Sequence, residues 1–184
     1  MLQRLLIKVA KELDKNNISY IVIGGQAVNM HGVVRSTQDI DITLNIDISE
    51  IDKLKKIVTK LKLVYVKENA DDFAKKFWIM PVYDPRSKIK VDFAFSFSPF
   101  EKSAIRRSIE KTIGKSKIKF CSAEDLMIFK IIAGRAIDLY DVRNILLVKD
   151  KLDKKYIKRW LKLFEETTNE KYLKRFDKIL KSIK

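Results

Sequence analysis

The segment from Asp39 to Ile46 alternates polar and apolar residues without interruption, as Asp-Ile-Asp-Ile-Thr-Leu-Asn-Ile. Successive side chains of a β-strand point to opposite faces, so this alternation predicts a strand with one buried face. Asp39 and Asp41 then project from the same face, about 7 Å apart along the backbone. Two carboxylates aimed at one point repel each other unless a positive charge lies between them. The segment therefore predicts both a strand and a site for a cation.

A short apolar run precedes this strand, from Ile18 to Ile23, and ends at Gly24 and Gly25. Its β-branched residues predict a buried strand that leads into a tight turn, with a short helix over residues 26–31. Glycines lack side chains, so their backbone can approach a triphosphate closely, and the helix behind them would present its N–H groups to the anion. Beside two carboxylates, this arrangement suits Mg²⁺, a hard cation that also accepts oxygens from phosphates.

Secondary-structure patterns divide the rest of the chain into a mixed first part and a helical second part. Residues 2–13 have apolar positions at helical spacing, and Ser49 with Asp52 predicts the cap of a further helix. Strands are predicted at residues 63–66, 77–82 and 89–95. After residue 121 the pattern is helical, with breaks near Gly134, Asp150 and Asn169. The expected fold class is α+β or α/β in front, with a helical bundle behind.

The net charge of +15 is large for 184 residues, and it is unevenly distributed. From Lys151 to Lys184 there are twelve Lys and Arg residues against five Asp and Glu. Such a surface attracts phosphate backbones through counterion release. Solubility, or the lysine-rich habit of some thermophilic proteomes, explains the charge equally well. Charge alone makes nucleic acid a candidate partner without deciding the matter.

Cysteine, histidine and apolar-run content exclude several classes of protein. The single cysteine, Cys121, cannot form an internal disulfide, and with one histidine in the chain a Cys/His zinc site is not credible. Charged residues interrupt the first thirteen positions, so no signal peptide is expected, and no apolar run approaches membrane-spanning length. We expect a folded cytoplasmic protein without a membrane partner, in which carboxylates hold any metal.

Asp92 is the candidate for a third carboxylate. It lies in Lys-Val-Asp-Phe-Ala-Phe, where Val91, Phe93 and Phe95 predict the buried face of a strand. Three aspartates on adjacent strands could hold two metals about 3.5–4 Å apart, one on the triphosphate and one lowering the pKa of the attacking hydroxyl. Each aspartate alone is as well explained as a solvent-facing strand residue. Their combination favours a metal site.

Two sequence blocks together resemble one known family. The first, residues 21–44, contains Gly24-Gly25, a thirteen-residue spacer and Asp39-Ile-Asp41, with a His-Gly pair and an Arg-x-Thr-x-Asp-Ile-Asp element. The second is residues 122–146, and Asp92 lies between the two. In this order the blocks resemble the minimal nucleotidyltransferases of the DNA polymerase beta-like superfamily, particularly the AbiEii/MenT toxin-like branch. The resemblance covers most of residues 18–148.

The resemblance implies a mixed β-sheet flanked by helices and followed by a C-terminal helical bundle. Residues 1–121 would be the nucleotidyltransferase catalytic domain, and residues 122–184 a helical region packed on it. It also implies dependence on Mg²⁺ or Mn²⁺ and on an NTP such as ATP, with Asp39, Asp41 and Asp92 as metal ligands. The toxin-like branch further implies an RNA such as tRNA as acceptor and a cognate antitoxin as partner.

Lys130 is the only polar residue between Leu126 and Ala133. Either its side chain extends out of a largely buried helix or it points into a site. In the family the matching lysine contacts the nucleotide phosphates, where its charge would offset that of the leaving pyrophosphate. Arg35 and Thr37 either contact phosphates as well or brace the loop before the metal strand. The expected nucleotide-binding set is Gly24, Gly25, Arg35, Thr37, Lys130 and Asp141.

Asp138 and Asp141 are three residues apart on a predicted helix and share one of its faces. The resemblance puts Asp141 near the active site, where it would orient Lys130 or Arg135. Salt bridges with nearby arginines explain both aspartates nearly as well.

The predicted reaction is transfer of a nucleotide: an acceptor hydroxyl attacks the α-phosphate of an NTP, and pyrophosphate leaves. The basic C-terminal segment favours an RNA acceptor. A partner protein or a small molecule such as an aminoglycoside is an alternative acceptor, although a cationic drug would prefer an acidic pocket. A non-catalytic antitoxin or binding module that retains the fold is a further alternative. The intact Asp39, Asp41, Asp92 and Lys130 argue against that last possibility.

Overall fold

The computed structural model describes residues 1–183 and divides the chain into two compact units. The first, which we call the sheet unit, comprises Met1–Gln26 and Ser36–Cys121. The second, the helical unit, comprises Ala27–Arg35 and the chain from Ser122 onward. Each unit is therefore assembled from segments that are distant in sequence.

The sheet unit is built on a mixed sheet, which has seven strands within residues 1–183. They are β1 (Tyr20–Val22), β2 (Ile40–Leu44), β3 (Val64–Tyr65), β4 (Ile79–Tyr83), β5 (Lys90–Phe95), β6 (Ile109–Ile113) and β7 (Ser116–Phe120). Their order across the sheet is β3-β4-β5-β2-β1-β7-β6. The β2–β5 and β1–β7 pairs are parallel, and the other neighbours are antiparallel. The central position of β2 puts the predicted metal strand between β5 and β1.

Helices cover this sheet with their apolar faces. They are α1 (Leu2–Lys15), α3 (Ile51–Lys60), α4 (Ala70–Phe77) and α5 (Pro99–Arg106). A further helix, α2 (Gly24–Met30), begins in this unit, and its residues from Ala27 onward belong to the helical unit. Apolar residues at helical spacing on α1, such as Leu6, Val9 and Leu13, are fully buried. Phe93 and Phe95 of β5 are also fully buried, as their alternation with polar neighbours predicts.

One helix cap and the start of one strand in this unit differ from the sequence prediction. Asp47, rather than Ser49, provides the side-chain cap, and it caps the 3₁₀ turn that leads into α3. Its side chain accepts a hydrogen bond from the Ser49 N–H at 2.9 Å, and its own N–H donates to Glu50 at 3.2 Å, around a 3₁₀ turn at Ile48–Glu50. The strand predicted from residue 77 begins two residues later, because α4 continues to Phe77 and Trp78 ends it in the left-handed conformation, at φ 56°.

Four helices form most of the helical unit. They are α6 (Ala123–Ala133), α7 (Ala136–Val148), α8 (Lys154–Thr167) and α9 (Tyr172–Ser182). The helix α6 contacts the other three, and Gly134 ends it with φ +67°, a conformation that glycine adopts without strain. The predicted helix breaks and the predicted fold class, a mixed sheet with helices and a helical C-terminal part, are confirmed. No helix within the described range is long and apolar enough to cross a bilayer.

Candidate active site

Asp41 and Asp92 are direct register partners on the parallel strands β2 and β5. Paired positions of neighbouring strands project to the same side of a sheet, so the two carboxylates share a face. Both residues are half-buried, whereas their strand neighbours Ile42 and Phe93 are fully buried on the other face. The structure thus brings together two of the three predicted ligands through strand pairing between distant segments.

Asp39 lies immediately before β2 and is exposed. Burial raises the pKa of Asp92, the negative charge of Asp39 raises it further, and Lys90 lowers it. Asp39 and Asp92 therefore repel each other, and a cation bound near them would favour the ionised carboxylate. The oxygen chemistry of the three aspartates fits Mg²⁺ or Mn²⁺. Over residues 1–183, however, no three acidic, histidine or cysteine side chains already form a metal-binding group.

Gly24 and Gly25 approach the segment that carries these aspartates. A Cβ atom on Gly24, whose φ is +62°, would lie 1.8 Å from Oδ2 of Asp41. A Cβ atom on Gly25 would lie 2.6 Å from Oγ1 of Thr37. The hydroxyl of Thr37 in turn donates to the backbone carbonyl of Asp39 at 3.4 Å. The glycines leave room for the Asp41 carboxylate and for Thr37, a reason for their presence that the sequence analysis did not identify.

A chain of alternating charges forms a second cluster, inside the helical unit. Lys130 of α6 donates to Asp138 at 3.2 Å and to Oδ2 of Asp141 at 2.7 Å, both on α7. Arg135 binds Asp138 through Nε at 2.6 Å and Nη2 at 3.2 Å. Nη1 of Arg35 donates to the same Oδ2 atom of Asp141. The two aspartates are thus held by three cations, and Asp141 binds Lys130 and Arg35 together.

Burial differs sharply among the members of this cluster. The side chains of Lys130, Asp138 and Asp141 are 6%, 2% and 1% exposed, whereas that of Arg35 is 28% exposed. Burial alone would raise the pKa of Asp138, but the hydrogen bond from Arg135 and the charge of Lys130 outweigh it, so the pKa is lowered. The first alternative for Lys130, a side chain that extends to solvent, is therefore wrong. The side chain lies within a buried ionic network.

The predicted site residues thus fall into two groups. Asp39, Asp41, Asp92, Gly24, Gly25 and Thr37 lie in the sheet unit, and Arg35, Lys130 and Asp141 lie in the helical unit. Sequence reasoning missed Asn29, whose side chain binds the backbone of Arg35 on both sides. An exposed asparagine on a short helix carries no signal that would have singled it out.

Residues 2–178 match the family model described as "Nucleotidyl transferase of unknown function (DUF2204)". The chain belongs to this family. As a member, it is a nucleotidyltransferase, which confirms the enzyme class predicted from the two sequence blocks. No protein of curated function matches the sequence.

Several solved structures share the fold of this chain at low sequence identity. ANT(2″)-Ia, in complex with adenylyl-2″-tobramycin, has a TM-score of 0.62 and 15% identity, over 91% of this chain and 99% of that one. An antigenic nucleotidyltransferase-like protein from Paracoccidioides brasiliensis has a TM-score of 0.53 and 20% identity, over 78% of this chain and 73% of that one. The lincosamide antibiotic adenylyltransferase LnuA, bound to lincomycin, has a TM-score of 0.52 and 14% identity, over 74% of this chain and 91% of that one. At these identities the likeness is one of fold.

Proposed function

We propose that the protein transfers a nucleotide from an NTP to an acceptor hydroxyl, using Mg²⁺ or Mn²⁺ held by Asp39, Asp41 and Asp92. The observation that carries this proposal is the register pairing of Asp41 with Asp92. The raised pKa of Asp92 supports it, because a bound cation would favour the ionised form. When bound, the metal neutralises phosphate charge and lowers the pKa of a hydroxyl nucleophile.

The residues around the carboxylates would position the reacting groups. The acceptor oxygen attacks the α-phosphorus in line. The bond between the α-phosphorus and the oxygen that bridges it to the β-phosphate breaks, and pyrophosphate leaves. Gly24 and Gly25 leave space for Asp41 and Thr37, and Thr37 braces the backbone next to the metal strand. This bracing keeps the carboxylates in place before the substrate arrives, which is the contribution that phosphoryl transfer needs most from a protein.

Positive charge for the triphosphate would come from Lys130 and Arg35. Both donate to the same oxygen of Asp141, so their charges lie side by side. Asp141 then acts as a positioning residue for this pair of cations. Electrostatic stabilisation of this kind favours the charge that develops on the leaving pyrophosphate.

The acceptor we propose is RNA, such as tRNA. In support, the basic side chains Lys155, Arg159 and Lys162 are exposed on α8, while Ile157 and Leu161 on the same helix are buried. The exposed basic face suits a phosphate backbone. A net charge of +15 disfavours a cationic small molecule such as an aminoglycoside, the class of compound seen with ANT(2″)-Ia.

The sequence resemblance to the AbiEii/MenT branch supports a toxin-like role with a cognate antitoxin. Such a role makes a prediction for cells: induced expression of the wild type arrests growth, and expression of Asp41→Asn does not. Equal growth of the two strains at equal protein levels would contradict the toxin-like role. It would leave the proposed chemistry untouched, since that is measured separately.

Labelled substrates test the transfer and identify the acceptor in one experiment. The protein is incubated with each common NTP, labelled at the α-phosphate, with Mg²⁺ and with total RNA, lysate protein or an aminoglycoside. We expect label in RNA and its loss when EDTA removes the metal. Label in protein or in the aminoglycoside would contradict the RNA acceptor. Absence of label from every fraction would contradict nucleotide transfer itself.

A further inference from the structure

Asn29, on α2, binds the backbone of Arg35 at two points. Its Nδ2 donates to the Arg35 carbonyl oxygen at 2.9 Å, and its Oδ1 accepts from the Arg35 N–H at 2.8 Å. A carboxamide that pairs with both backbone groups of one residue imitates a neighbouring β-strand. The backbone of Arg35 is therefore fixed in both position and direction.

The loop closed by this interaction is short and partly exposed. Gly32 has φ +96° and Val34 is fully exposed, whereas His31 and Val33 are buried. Asn29 joins the two ends of this loop, because it lies on α2 and binds the backbone of Arg35 at the far end. The ordering that Asn29 provides is thus a local property of this loop.

The guanidinium of Arg35 is anchored at one end and open at the other. Nη1 donates to Asp141, and no described residue accepts a hydrogen bond from Nε or Nη2. Those two nitrogens form the edge with which arginine binds two oxygens of a phosphate. Lys130 differs, because its buried ammonium already binds Asp138 and Asp141. Of the two cations on Asp141, Arg35 is the more exposed, and its whole Nε–Nη2 edge has no acceptor among the described residues.

We propose that Asn29 is a positioning residue for nucleotide binding: it holds Arg35 so that Nε and Nη2 face a phosphate group of the NTP. The assignment rests on the proposed nucleotidyl transfer and deepens it. Anchored by Asn29 at the backbone and by Asp141 at the side chain, Arg35 loses little conformational freedom when the phosphate binds. Lys130 then contributes through its charge and through its hold on Asp141.

The test measures binding of inorganic tripolyphosphate with Mg²⁺, which reports on phosphate contacts without any base. We expect Asn29→Ala to weaken binding on the order of tenfold, as misplaced binding groups do. The matched control is Asn16→Ala, since Asn16 is also exposed and donates to a backbone carbonyl, that of Glu12, at 2.7 Å. The control should bind like the wild type. Both variants should keep wild-type thermal midpoints to within a few degrees.

A double variant separates positioning from a general structural effect. If Asn29 acts through Arg35, Asn29→Ala adds no further loss of binding in an Arg35→Gln background. Asn29→Asp keeps the acceptor for the Arg35 N–H and loses the donor, so its affinity should lie between those of the wild type and Asn29→Ala. In turnover, Asn29→Ala should raise KM for the NTP more than it lowers kcat.

Three results would overturn the assignment: unchanged tripolyphosphate binding in Asn29→Ala, an equal further loss in the Arg35→Gln background, or no tripolyphosphate binding by the wild type. Nucleotide transfer by the wild type is measured with labelled NTP and does not depend on these results. If the wild type transfers nucleotide and Asn29→Ala binds tripolyphosphate as tightly as the wild type, only the role of Asn29 is refuted. An inactive wild type would refute the proposed function.

Discussion

Asp92 lies where its negative charge is disfavoured, first by burial and then by Asp39. Its folded-state pKa is raised above the unfolded value, so the ionised carboxylate destabilises the folded protein at neutral pH, and this penalty disappears below the unfolded pKa. Asp92→Asn should therefore raise the free energy of unfolding at pH 7 in EDTA while abolishing transfer. The gain should shrink as the pH falls from 7 toward 4. Denaturant titrations check it, with the exposed Asp72→Asn as control.

A lower stability of Asp92→Asn at pH 7 would mean that Asp92 is a structural residue. A gain in stability that accompanies a loss of activity is typical of residues kept for function. The control, Asp72→Asn, should change neither stability nor transfer, because Asp72 is exposed on α4.

Lys130, unlike Asp92, has a charge that stabilises the folded protein, because it binds two buried carboxylates. Lys130→Ala should lower the free energy of unfolding by about 3 kcal/mol, the low end for breaking a buried ion pair, since Arg35 and Arg135 remain. Lys174→Ala, an exposed lysine of α9, is the matched control. Urea titrations compare the two. Equal unfolding midpoints would show that the ionic network adds little stability.

At this scale the sequence predicted residue types and shared faces, but not partners. The alternation from Asp39 to Ile46 predicted one shared face for Asp39 and Asp41; in the structure Asp41 lies on β2 and Asp39 immediately precedes it. It contained nothing on which residue of another strand lies opposite Asp41. Likewise, the apolar context of Lys130 indicated burial, whereas its pairing with both Asp138 and Asp141 depends on how α6 and α7 pack.

Among the elements, α8 carries the clearest functional prediction. Its buried side includes Ile157 and Leu161, and its exposed basic residues are Lys155, Arg159 and Lys162. Lys158 differs from these, because it binds Asp177 of α9 at 2.8 Å. Lys155, Arg159 and Lys162 have no carboxylate partner among the described residues. They are therefore the ones to replace when RNA binding is tested.

Changing Lys155, Arg159 and Lys162 to Gln should flatten the slope of log affinity for tRNA against log salt by about two units, at roughly 0.7 per phosphate contact. The control changes three exposed lysines of α1, Lys8, Lys11 and Lys15, to Gln and so removes the same charge. Titrations across a salt series compare both with the wild type. Equal flattening by the two triple variants would mean that net charge, and not α8, attracts the RNA.

Long periodic elements were predictable, and short ones that depend on tertiary contacts were not. The helix α1 and the last two helices, α8 and α9, follow from apolar spacing that one helix alone determines. The hairpin of β6 and β7 was missed because β6 is an edge strand with almost no buried side chain to mark it. The helix α5 was missed although Ser98 and Glu101 form a capping box with Pro99 at its start.

For the molecule as a whole, the order of strands and the make-up of the two units lay beyond sequence patterns. Strands β5 and β7 pair with β2 and β1 across long stretches of chain. Arg35 and Asp141 bind each other although 106 residues separate them. Such pairings depend on packing energies summed over many residues, which local propensity does not contain. The enzyme class, a nucleotidyltransferase, was in contrast predictable, because the two motif blocks that indicate it are local.

The central claim is that the carboxylates on β2 and β5 carry out nucleotide transfer, and Asp41→Asn tests it most directly. Asparagine keeps the shape that fits against Gly24, so the fold should remain while one ligand charge is lost. The account predicts a rate of transfer from α-labelled NTP at least about 100-fold below the wild type, the scale of losing one group that stabilises developing charge. Asp72→Asn should transfer at the wild-type rate. Wild-type transfer by folded Asp41→Asn would contradict the account.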